Sequence, residues 1–431
     1  MDLSIDRPGS RGIALAACLA IAAILVYQGV RLWIADALVD SNNPKTIARG
    51  VALEAGNGDA WDRLGRFHQW DFANPNPALA ASEYLHAVHE DSHSAHYLMD
   101  LAGAYEAEGE ITQAQDAWIR ARADYPSSAE VEWNYGNFLL RQQETSAGYD
   151  MIHRAVETDT SFLPLAISRT WRSSQDINAL LEQVLPKTPE AYAQALDFFA
   201  SIQKPEAALV VWHKLLEMKK PLPISQTFPF FQALIDEDRS EEARETWKQA
   251  LAAAGMPDEE PPNHSLVWNG NFEKDFLNGG LDWRWYYAPG VSIEFDAPPP
   301  GVSGRSVRLD FIGGMNPDIS EPFEYVPVEP GHSYHFHAFL RTQDISSESG
   351  MRMNLVDPNH SDALDLMTDN LTASHPWTPA EADFTTGPNT HIILVRLRRT
   401  PSRLFDNKLS GSVWMADVSL VEAAAPEPAA K

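Results

Sequence analysis

Residues 97–126 read YLMDLAGAYEAEGEITQAQDAWIRARADYP, and this stretch decides how the first half of the chain is interpreted. Its small and large apolar residues recur further along the sequence at a fixed interval. Ala87, Ala121 and Ala155 are 34 residues apart. The same interval separates other members of the pattern: Tyr84, Trp118 and Ile152; Ala80, Ala114 and Gly148; Ser92, Pro126 and Thr160. A repeat of this length predicts stacked supersecondary units that share one core.

The pattern resembles the tetratricopeptide repeat (TPR), a pair of antiparallel helices with small residues where the helices cross. An earlier unit begins at Trp61 and carries a short insertion around NPNP, and later units fit around Tyr192 and Phe231. The stretch 160–188 fits the repeat poorly. We therefore expect an all-α, TPR-like solenoid over 40–255. The resemblance implies protein partners bound in its groove.

One segment of this region, LHAVHEDSHSAHYL at 85–98, raises the question of a metal site. On one continuous helix its four histidines would share a face, as zinc ligands do. The repeat places His86 and His89 at the end of one helix and His93 and His96 at the start of the next. We therefore expect a bend, and a polar turn rather than a four-histidine metal centre.

The N-terminal stretch GIALAACLAIAAILVYQGV, Gly12–Val30, carries no charge and is nearly long enough to cross a bilayer as a helix. Arg31 and Trp33 follow it, a cation and an aromatic that suit the membrane interface. We expect residues 1–35 to form a cytoplasmic N-terminus and a single transmembrane anchor that contacts lipid through 12–34.

Arg7 and Arg11 precede the apolar stretch, which favours a cytoplasmic N-terminus and an exported body. The predicted location is thus a bacterial inner membrane with the body in the periplasm. Two alternatives stay open: a cleaved signal peptide, and lipidation of Cys18, which follows Leu-Ala-Ala. Cys18 is the single cysteine, so an intrachain disulfide is excluded.

The charge of the chain excludes one class of partner. The 431 residues carry a formal net charge of −27, with a pI near 4.8. Nucleic-acid binding requires a basic surface, which this composition does not supply.

The last third of the sequence changes character after PDEEPPNH at 257–264, which has the composition of a linker. Short alternating segments follow, separated by Gly, Pro and Asn: SVRLDFI, SYHFHAFLRT, MRMNLV, HIILVRLRR and SVWMADVSLVE. This pattern predicts an all-β sandwich.

Several segments in order resemble carbohydrate-binding modules of the four/nine type, which share the galactose-binding-like jelly roll. They are LVWNGNFE at 266–273, GLDWRW at 280–285, VEPGHSYHFHAFLRT at 328–342, WTPAEADFTT at 377–386 and GSVWMADVSLVE at 411–422. The resemblance implies a jelly-roll sandwich over 262–422, and the Ala- and Pro-rich residues 423–431 are expected to be a disordered tail.

The resemblance also implies candidate site residues. A structural Ca²⁺ between the first and last strands would be bound by Glu273 and Asp417, whose alternative role is that of solvated carboxylates. A separate argument, from the aromatic faces that sugars need, selects Trp285 and Tyr287, which would share one strand face as a platform for a glycan. Trp283 and Trp377 match positions inside the sandwich.

Basic and imidazole side chains of the strands are further candidates. Arg341 and Arg396 are candidate partners of sugar hydroxyls or acidic sugars, with solvated strand residues as the alternative. His335 and His337 alternate onto one face, where we expect ordinary strand residues.

The predicted function is that of a membrane-anchored, non-enzymatic scaffold or adaptor of the bacterial cell envelope. Its repeats would bind protein partners and its jelly roll a glycan, in polysaccharide assembly or export. One alternative is a pure protein scaffold with a non-binding sandwich. The other is a polysaccharide-acting hydrolase or transferase with carboxylates from DPNHSDALDLMTD, 357–369. No nucleophile elbow, phosphate-binding glycine loop or zinc-protease motif occurs in the sequence.

Overall fold

A computed structural model describes residues 8–256, 264–405 and 407–423, with side chains from residue 12 onward. It contains an apolar N-terminal helix, a helical-repeat region and a C-terminal antiparallel β-sandwich, in this order. The predicted fold class is therefore confirmed. Residues 1–7 of the predicted cytoplasmic segment, 257–263 of the predicted linker and 424–431 of the predicted tail lie outside the described residues.

The helices of the first two thirds follow one another with short connections. They are α1 (Pro8–Val39), α2 (Pro44–Leu53), α3 (Gly58–Gln69), α4 (Pro77–Glu90), α5 (Ala95–Glu108), α6 (Ile111–Asp124), α7 (Ala129–Arg141), α8 (Thr145–Thr158), α9 (Leu163–Ser174), α10 (Ile177–Ala179), α11 (Pro189–Ser201), α12 (Pro205–Glu217), α13 (Phe228–Asp236) and α14 (Ser240–Ala253).

The helices pack as the 34-residue pattern predicts. Ala87, Ala121 and Ala155 lie in α4, α6 and α8 and are fully buried. At one crossing, a Cβ added to Gly148 would lie 2.8 Å from the Leu140 side chain and 3.1 Å from the Gly136 carbonyl oxygen. A residue larger than glycine would crowd this crossing of α7 and α8, and the same closeness explains the small residues of the repeat.

The expected bend between the histidines is confirmed. His86 and His89 lie in α4, whereas His96 lies in α5, and a turn carrying His93 separates the two helices. The His86 ring stacks on Trp61 with ring centroids 4.3 Å apart, and His93 contacts Asp124. The four imidazoles therefore do not form one face.

Helix α1 is long and apolar enough, from Gly12 to Val39, to be a membrane span or a signal sequence. It continues without a break into the helical region. Its end packs on α2, where Ala35 is fully buried and a Cβ on Gly50 would lie 2.8 Å from Val39. Helix α1 thus contains the apolar stretch and, at its end, also packs against α2.

The poor fit of residues 160–188 has a local cause. In place of a full second helix, α10 passes directly into a π-turn at Leu180–Val184, closed by a hydrogen bond from the Leu185 amide to the Leu180 carbonyl. Leu185 precedes a proline, which disfavours helical geometry, and it is extended. The chain therefore leaves the helix before the second full-length helix of a repeat can form.

The chain divides into two compact units. One contains residues 1–170 and 178–186, and the other contains residues 171–177 and 187–431. The last four helices thus belong to the same unit as the sandwich. The limits 40–255 and 262–422 stay predictions as domain boundaries.

The sandwich has two antiparallel sheets. The first has the order β1-β2-β9-β4-β7 and the second the order β3-β8-β5-β6. The strands are β1 (Val291–Asp296), β2 (Ser306–Ile312), β3 (Phe323–Pro327), β4 (Ser333–Ile345), β5 (Arg352–Val356), β6 (Asp365–Met367), β7 (Ala373–Thr385), β8 (Ile392–Arg398) and β9 (Ser410–Glu422).

Alternation along the strands builds the core. On β2, Val307, Leu309 and Phe311 are buried, while the residues between them face outward. Trp283 is fully buried in this core, as expected. Trp377 is only partly buried and does not belong to the core cluster, so the expectation for this residue is wrong. It lies on β7, the edge strand of its sheet, and an edge strand has a neighbour on one side only.

Within the second unit, helices α13 and α14 pack directly against the sandwich. The Trp247 ring meets the Trp268 ring edge-on with centroids 5.5 Å apart. A Cβ on Gly280 would lie 2.2 Å from the Trp247 ring, so this glycine admits the indole. The buried Arg284 donates from Nη1 to Gln232 Oε1 at 2.7 Å. These contacts join the last helical pair and the sandwich into one packed body.

Candidate functional site

The four predicted glycan-binding residues lie in three places. Arg341 is on the outer face of the five-stranded sheet, and Arg396 is on β8 of the four-stranded sheet. Trp285 and Tyr287 lie in the segment before β1. The structure therefore does not bring the four residues into one site.

Residues 285–290 are not a strand, contrary to the expectation of a shared face for Trp285 and Tyr287. Trp285 is partly buried against the sandwich core, whereas Tyr287 is 85% exposed. The Trp285 amide donates to Asn278 Oδ1 at 2.8 Å, and the Tyr286 amide donates to Glu321 Oε2 at 2.7 Å. These side-chain acceptors replace a strand ladder, so the period of two does not apply here.

Arg396 belongs to a hydrogen-bonded row on the outer side of its sheet. Its Nε donates to Asn354 Oδ1 at 2.8 Å, and Asn354 Nδ2 donates to Asp365 Oδ1 at 2.8 Å. Burial and the neighbouring Arg398 lower the pKa of Arg396. Its guanidinium is thus already engaged by side chains of the adjacent strand.

The outer face of the five-stranded sheet carries an aromatic residue that the sequence analysis did not select, Trp414 on β9. The Arg341 guanidinium lies over its ring, with Cζ 4.4 Å from the centroid. The indole Nε1 donates to Asp296 Oδ2 at 3.0 Å. Val413 and Met415 on either side are fully buried in the core, so Trp414 points outward, where the side chains around it leave it only 7% exposed. The parity of the strand could have revealed this orientation.

Charged side chains surround Trp414. Arg308 lies directly opposite on β2 and contacts three carboxylates: Asp310 at 2.9 Å, Asp296 at 3.3 Å, and Glu294. Ser412 donates to Asp310 Oδ1 at 2.5 Å. We call the set Arg341, Trp414, Arg308, Asp296, Asp310 and Glu294 the Trp414 array.

The electrostatics of the Trp414 array favour an uncharged ligand. It has two guanidinium groups and three carboxylates, and hence a net charge of −1. The hydrogen bond from Trp414 holds the pKa of Asp296 below its ordinary value, so this carboxylate stays ionised. Its carboxylates accept hydrogen bonds from hydroxyl groups, and its guanidinium groups donate them. This combination suits a hydroxyl-rich ligand better than an anionic one.

The predicted histidine pair lies on the same outer face. His335 Nδ1 is 2.8 Å from Asp383 Oδ1, and His337 Nδ1 is 3.3 Å from Glu381 Oε1. Each imidazole therefore pairs with an acidic residue of β7 across the strand, which is the ordinary strand role that the sequence predicts.

Glu273 and Asp417 lie where the first segment of the sandwich runs beside β9. The Val418 amide donates to the Gly270 carbonyl at 2.9 Å and joins the two segments. Glu273 is exposed, and the Asp417 carboxylate lies 3.9 Å from His337 Nε2. Ca²⁺ takes six to eight oxygen ligands. Two solvent-facing carboxylates do not supply that set, and calcium binding here stays a prediction.

The carboxylates of 357–369 are separated by their surroundings. Asp357 is buried, and its Oδ1 accepts from the Asn359 and His360 amides at 2.9 and 2.8 Å. Asp365 is exposed and bonded to Asn354. Asp357 thus fixes a turn, while Asp365 belongs to the row that includes Arg396.

A second candidate site lies in the first unit. An open cavity of about 920 Å³ runs between the end of α1 and α3. Arg63 of α3 pairs with Asp40 at 3.2 Å, and Phe67 lines the cavity beside them. Trp70 and Phe72 lie at its edge in the insertion after α3 and are largely exposed. Exposed aromatic residues beside paired charges are typical of surfaces that bind a protein segment.

Comparison with known proteins gives weak matches. No family model and no curated protein sequence matches the chain. Among solved structures, MamA is 16% identical with a TM-score of 0.26 and covers 40% of this chain and 85% of its own. YrrB, a TPR protein with an unusual peptide-binding site, is 12% identical with a TM-score of 0.26, covering 49% and 94%. A CBM4 structure is 10% identical with a TM-score of 0.27, covering 36% and 99%.

Proposed function

We propose that this protein is a membrane-anchored, non-enzymatic adaptor of the bacterial cell envelope that holds a glycan on its sandwich and a protein partner on its helical repeats. The anchor is α1, set in the inner membrane with the body in the periplasm. The role fits the assembly or export of a polysaccharide. The observation that carries the glycan part is the stack of Arg341 on Trp414, whose indole also donates to the Asp296 carboxylate.

The Trp414 array supports a neutral glycan for a physical reason. A pyranose binds by laying its apolar face on an aromatic ring while its hydroxyls bond to polar groups at the rim. In the ligand-free arrangement the guanidinium of Arg341 occupies the face of the indole. A sugar would displace it, and Arg341, Asp296 and Asp310 would then bond to hydroxyls. An acidic glycan would meet the net negative charge of this face.

The cavity at the end of α1 supports the protein-partner part. It combines aromatic residues with the Arg63–Asp40 pair, which suits an extended peptide with mixed charge. Because α1 continues from the apolar stretch into this cavity wall, a partner bound there would be held close to the membrane.

The test is binding of the detergent-solubilised full chain to a panel of neutral, acidic and amino-sugar polysaccharides. We expect selective binding of neutral chains. Trp414→Ala should weaken it about tenfold or more, since a stacked aromatic is worth about 1–3 kcal/mol. Arg341→Gln should also change the affinity, because this guanidinium covers the ring in the free protein and bonds to hydroxyls in the complex. Arg352→Gln on β5 of the other sheet is the matched control, and Tyr287→Ala tests the segment predicted from the sequence.

The outcomes separate the candidate functions. Neutral-glycan binding that both array variants leave unchanged would refute the Trp414 array as the site. Loss only in Tyr287→Ala would move the site to the segment before β1. No binding to any polysaccharide would favour the pure protein scaffold, and turnover abolished by Asp365→Asn would favour an enzyme.

Calcium is tested in the same preparation. We propose that Glu273 and Asp417 contribute to a Ca²⁺ site completed by backbone carbonyls. A chelator should then lower the Tm of the full chain, and Asp417→Asn should remove that effect. A Tm that does not respond to calcium or chelator would contradict the site.

A further inference from the structure

A group of three side chains joins α3 and α5 in the repeat region; Asp62 is buried, Asp100 is partly buried and His96 is exposed. Asp62 lies on α3, and His96 and Asp100 lie one turn apart on α5. His96 Nε2 is 3.5 Å from Asp62 Oδ2 and 3.6 Å from Asp100 Oδ2. One ligand atom of each residue lies within 4.8 Å of the others.

The Asp62 and Asp100 carboxylates have too few hydrogen-bond donors and positive charges around them. Asp62 is fully buried, yet its Oδ1 has no hydrogen-bond partner among the residues that the structure describes. Asp100 Oδ2 is also buried without one, although Arg66 Nε approaches it at 3.3 Å. A buried carboxylate oxygen without a partner costs free energy. Two acids thus share one guanidinium, that of Arg66.

The orientation of the imidazole suits a metal ion. Arg66 Nη2 lies 2.8 Å from His96 Nε2. A guanidinium only donates hydrogen bonds, so Nε2 accepts from Arg66 through the lone pair that a metal ion would take in the place of this guanidinium.

We propose that Asp62, His96 and Asp100 bind a zinc ion, and that Arg66 occupies the place of that ion in the metal-free protein. Two ligands of a tetrahedral Zn²⁺ with bonds of about 2.1 Å lie about 3.4 Å apart. The observed separations of 3.5 and 3.6 Å match this spacing before any movement. Two carboxylate oxygens and one imidazole nitrogen leave a fourth position for water or a carboxylate of a bound partner.

The Arg66 guanidinium, which occupies the proposed zinc position, can move. The Arg66 side chain is 47% exposed, so its guanidinium can turn into solvent while zinc supplies two positive charges to the same carboxylates. The ion would fix α3 against α5, two neighbouring first helices of the repeat region.

The experiment uses the detergent-solubilised full chain after treatment with a chelator and dialysis. Zinc binding is measured by calorimetry with ZnCl₂, and Co²⁺ is added separately to read ligand-field absorption. We expect one zinc per chain, with His96→Gln weakening binding about 100-fold, since even outer-shell partners of a metal site are worth 10–100-fold. His93→Gln, three residues away and 80% exposed, is the matched control and should bind as the unmodified protein does.

Arg66→Gln distinguishes a metal site from an ion-pair network. If Arg66 competes with the ion, its removal should tighten zinc binding about tenfold or more. It should also make the Tm depend strongly on zinc. If the group is only an ion-pair network, Arg66→Gln will lower the Tm whether or not zinc is present. Zinc affinity that is equal in Arg66→Gln, His96→Gln and His93→Gln would overturn the proposal. The glycan experiment is unaffected by either result, since it reports on the sandwich alone.

Discussion

The sandwich contains a pair of buried acids whose ionisation should make its stability depend on pH. Asp282 is fully buried and accepts from the Leu277 amide at 2.5 Å and from Asn269 at 3.5 Å. Glu324 on β3 is almost fully buried; it accepts from the Trp268 amide at 2.7 Å, and its second oxygen has no hydrogen-bond partner among the described residues. Burial raises the pKa of Asp282 to about 7, and burial with the nearby Asp282 raises that of Glu324 well above its ordinary value.

The direction in which stability changes with pH follows from proton linkage. A carboxyl whose folded pKa exceeds its unfolded value binds more protons in the folded state, so the free energy of unfolding falls as pH rises. For Asp282 the interval runs from the unfolded pKa of 3.8 to about 7 in the folded state. At 1.36 kcal/mol per pKa unit, the loss across this interval is about 4 kcal/mol. Asp282→Asn should remove this slope, at most about 1.4 kcal/mol per pH unit, and leave the part due to Glu324.

The assay is urea unfolding of the detergent-solubilised full chain at pH 5, 6 and 7. Pulsed hydrogen exchange at constant labelling pH, read on peptides from 264–327, reports on the sandwich. Asp275→Asn is the control, because this carboxylate lies in the same segment but is exposed and paired with Arg305. If the stability of the unmodified protein does not fall from pH 5 to pH 7, the reasoning is refuted. The same conclusion holds if Asp282→Asn and Asp275→Asn give equal pH slopes.

Three further predictions concern packing and topology. Trp247→Ala should destabilise the second unit by about 3–5 kcal/mol and lower the hydrogen-exchange protection of residues 266–283, since its ring fills the contact with the sandwich; unchanged protection would contradict this packing. Gly148→Ala should destabilise the first unit by about 1–3 kcal/mol in urea unfolding, whereas Gly103→Ala, where a Cβ meets only one side-chain atom at 3.5 Å, should be neutral or stabilising. In a Cys18→Ala background, Lys220→Cys should be labelled by a membrane-impermeant maleimide in intact spheroplasts, and labelling only after lysis would place the body in the cytoplasm.

The helical region was largely predictable because its signal is periodic and repeated. Ala87, Ala121 and Ala155 are all buried where two helices cross closely. The same sequence signal therefore occurs in each repeat. Residues 160–188 lacked the signal, and the structure has a π-turn there instead of a second helix. A single proline-flanked stretch offers no repetition from which its geometry could be deduced.

The candidate site was predicted less well, because a binding face depends on which strands become neighbours. Arg341 and Trp414 are 73 positions apart and meet because β4 pairs with β9. No local sequence pattern predicts this strand pairing or its register. The prediction that Trp285 and Tyr287 share a strand face was wrong for the opposite reason. Their alternation is local, but side-chain acceptors rather than a ladder bind the backbone there, so the face that alternation predicts does not exist.

The packing of α13 and α14 bears on which sheet can serve a ligand. Asn359 Nδ2 donates to Asp238 in the turn between these helices at 2.6 Å, and Arg244 of α14 donates to the Pro327 carbonyl of β3 at 3.2 Å. The helices therefore contact the four-stranded sheet and its loops, the sheet that also contains Arg396. The Trp414 array lies on β1, β2, β4 and β9 and contains none of the residues that make these contacts. A glycan on the Trp414 array would thus not compete with the helix packing, whereas one at Arg396 would bind on the sheet that the helices use.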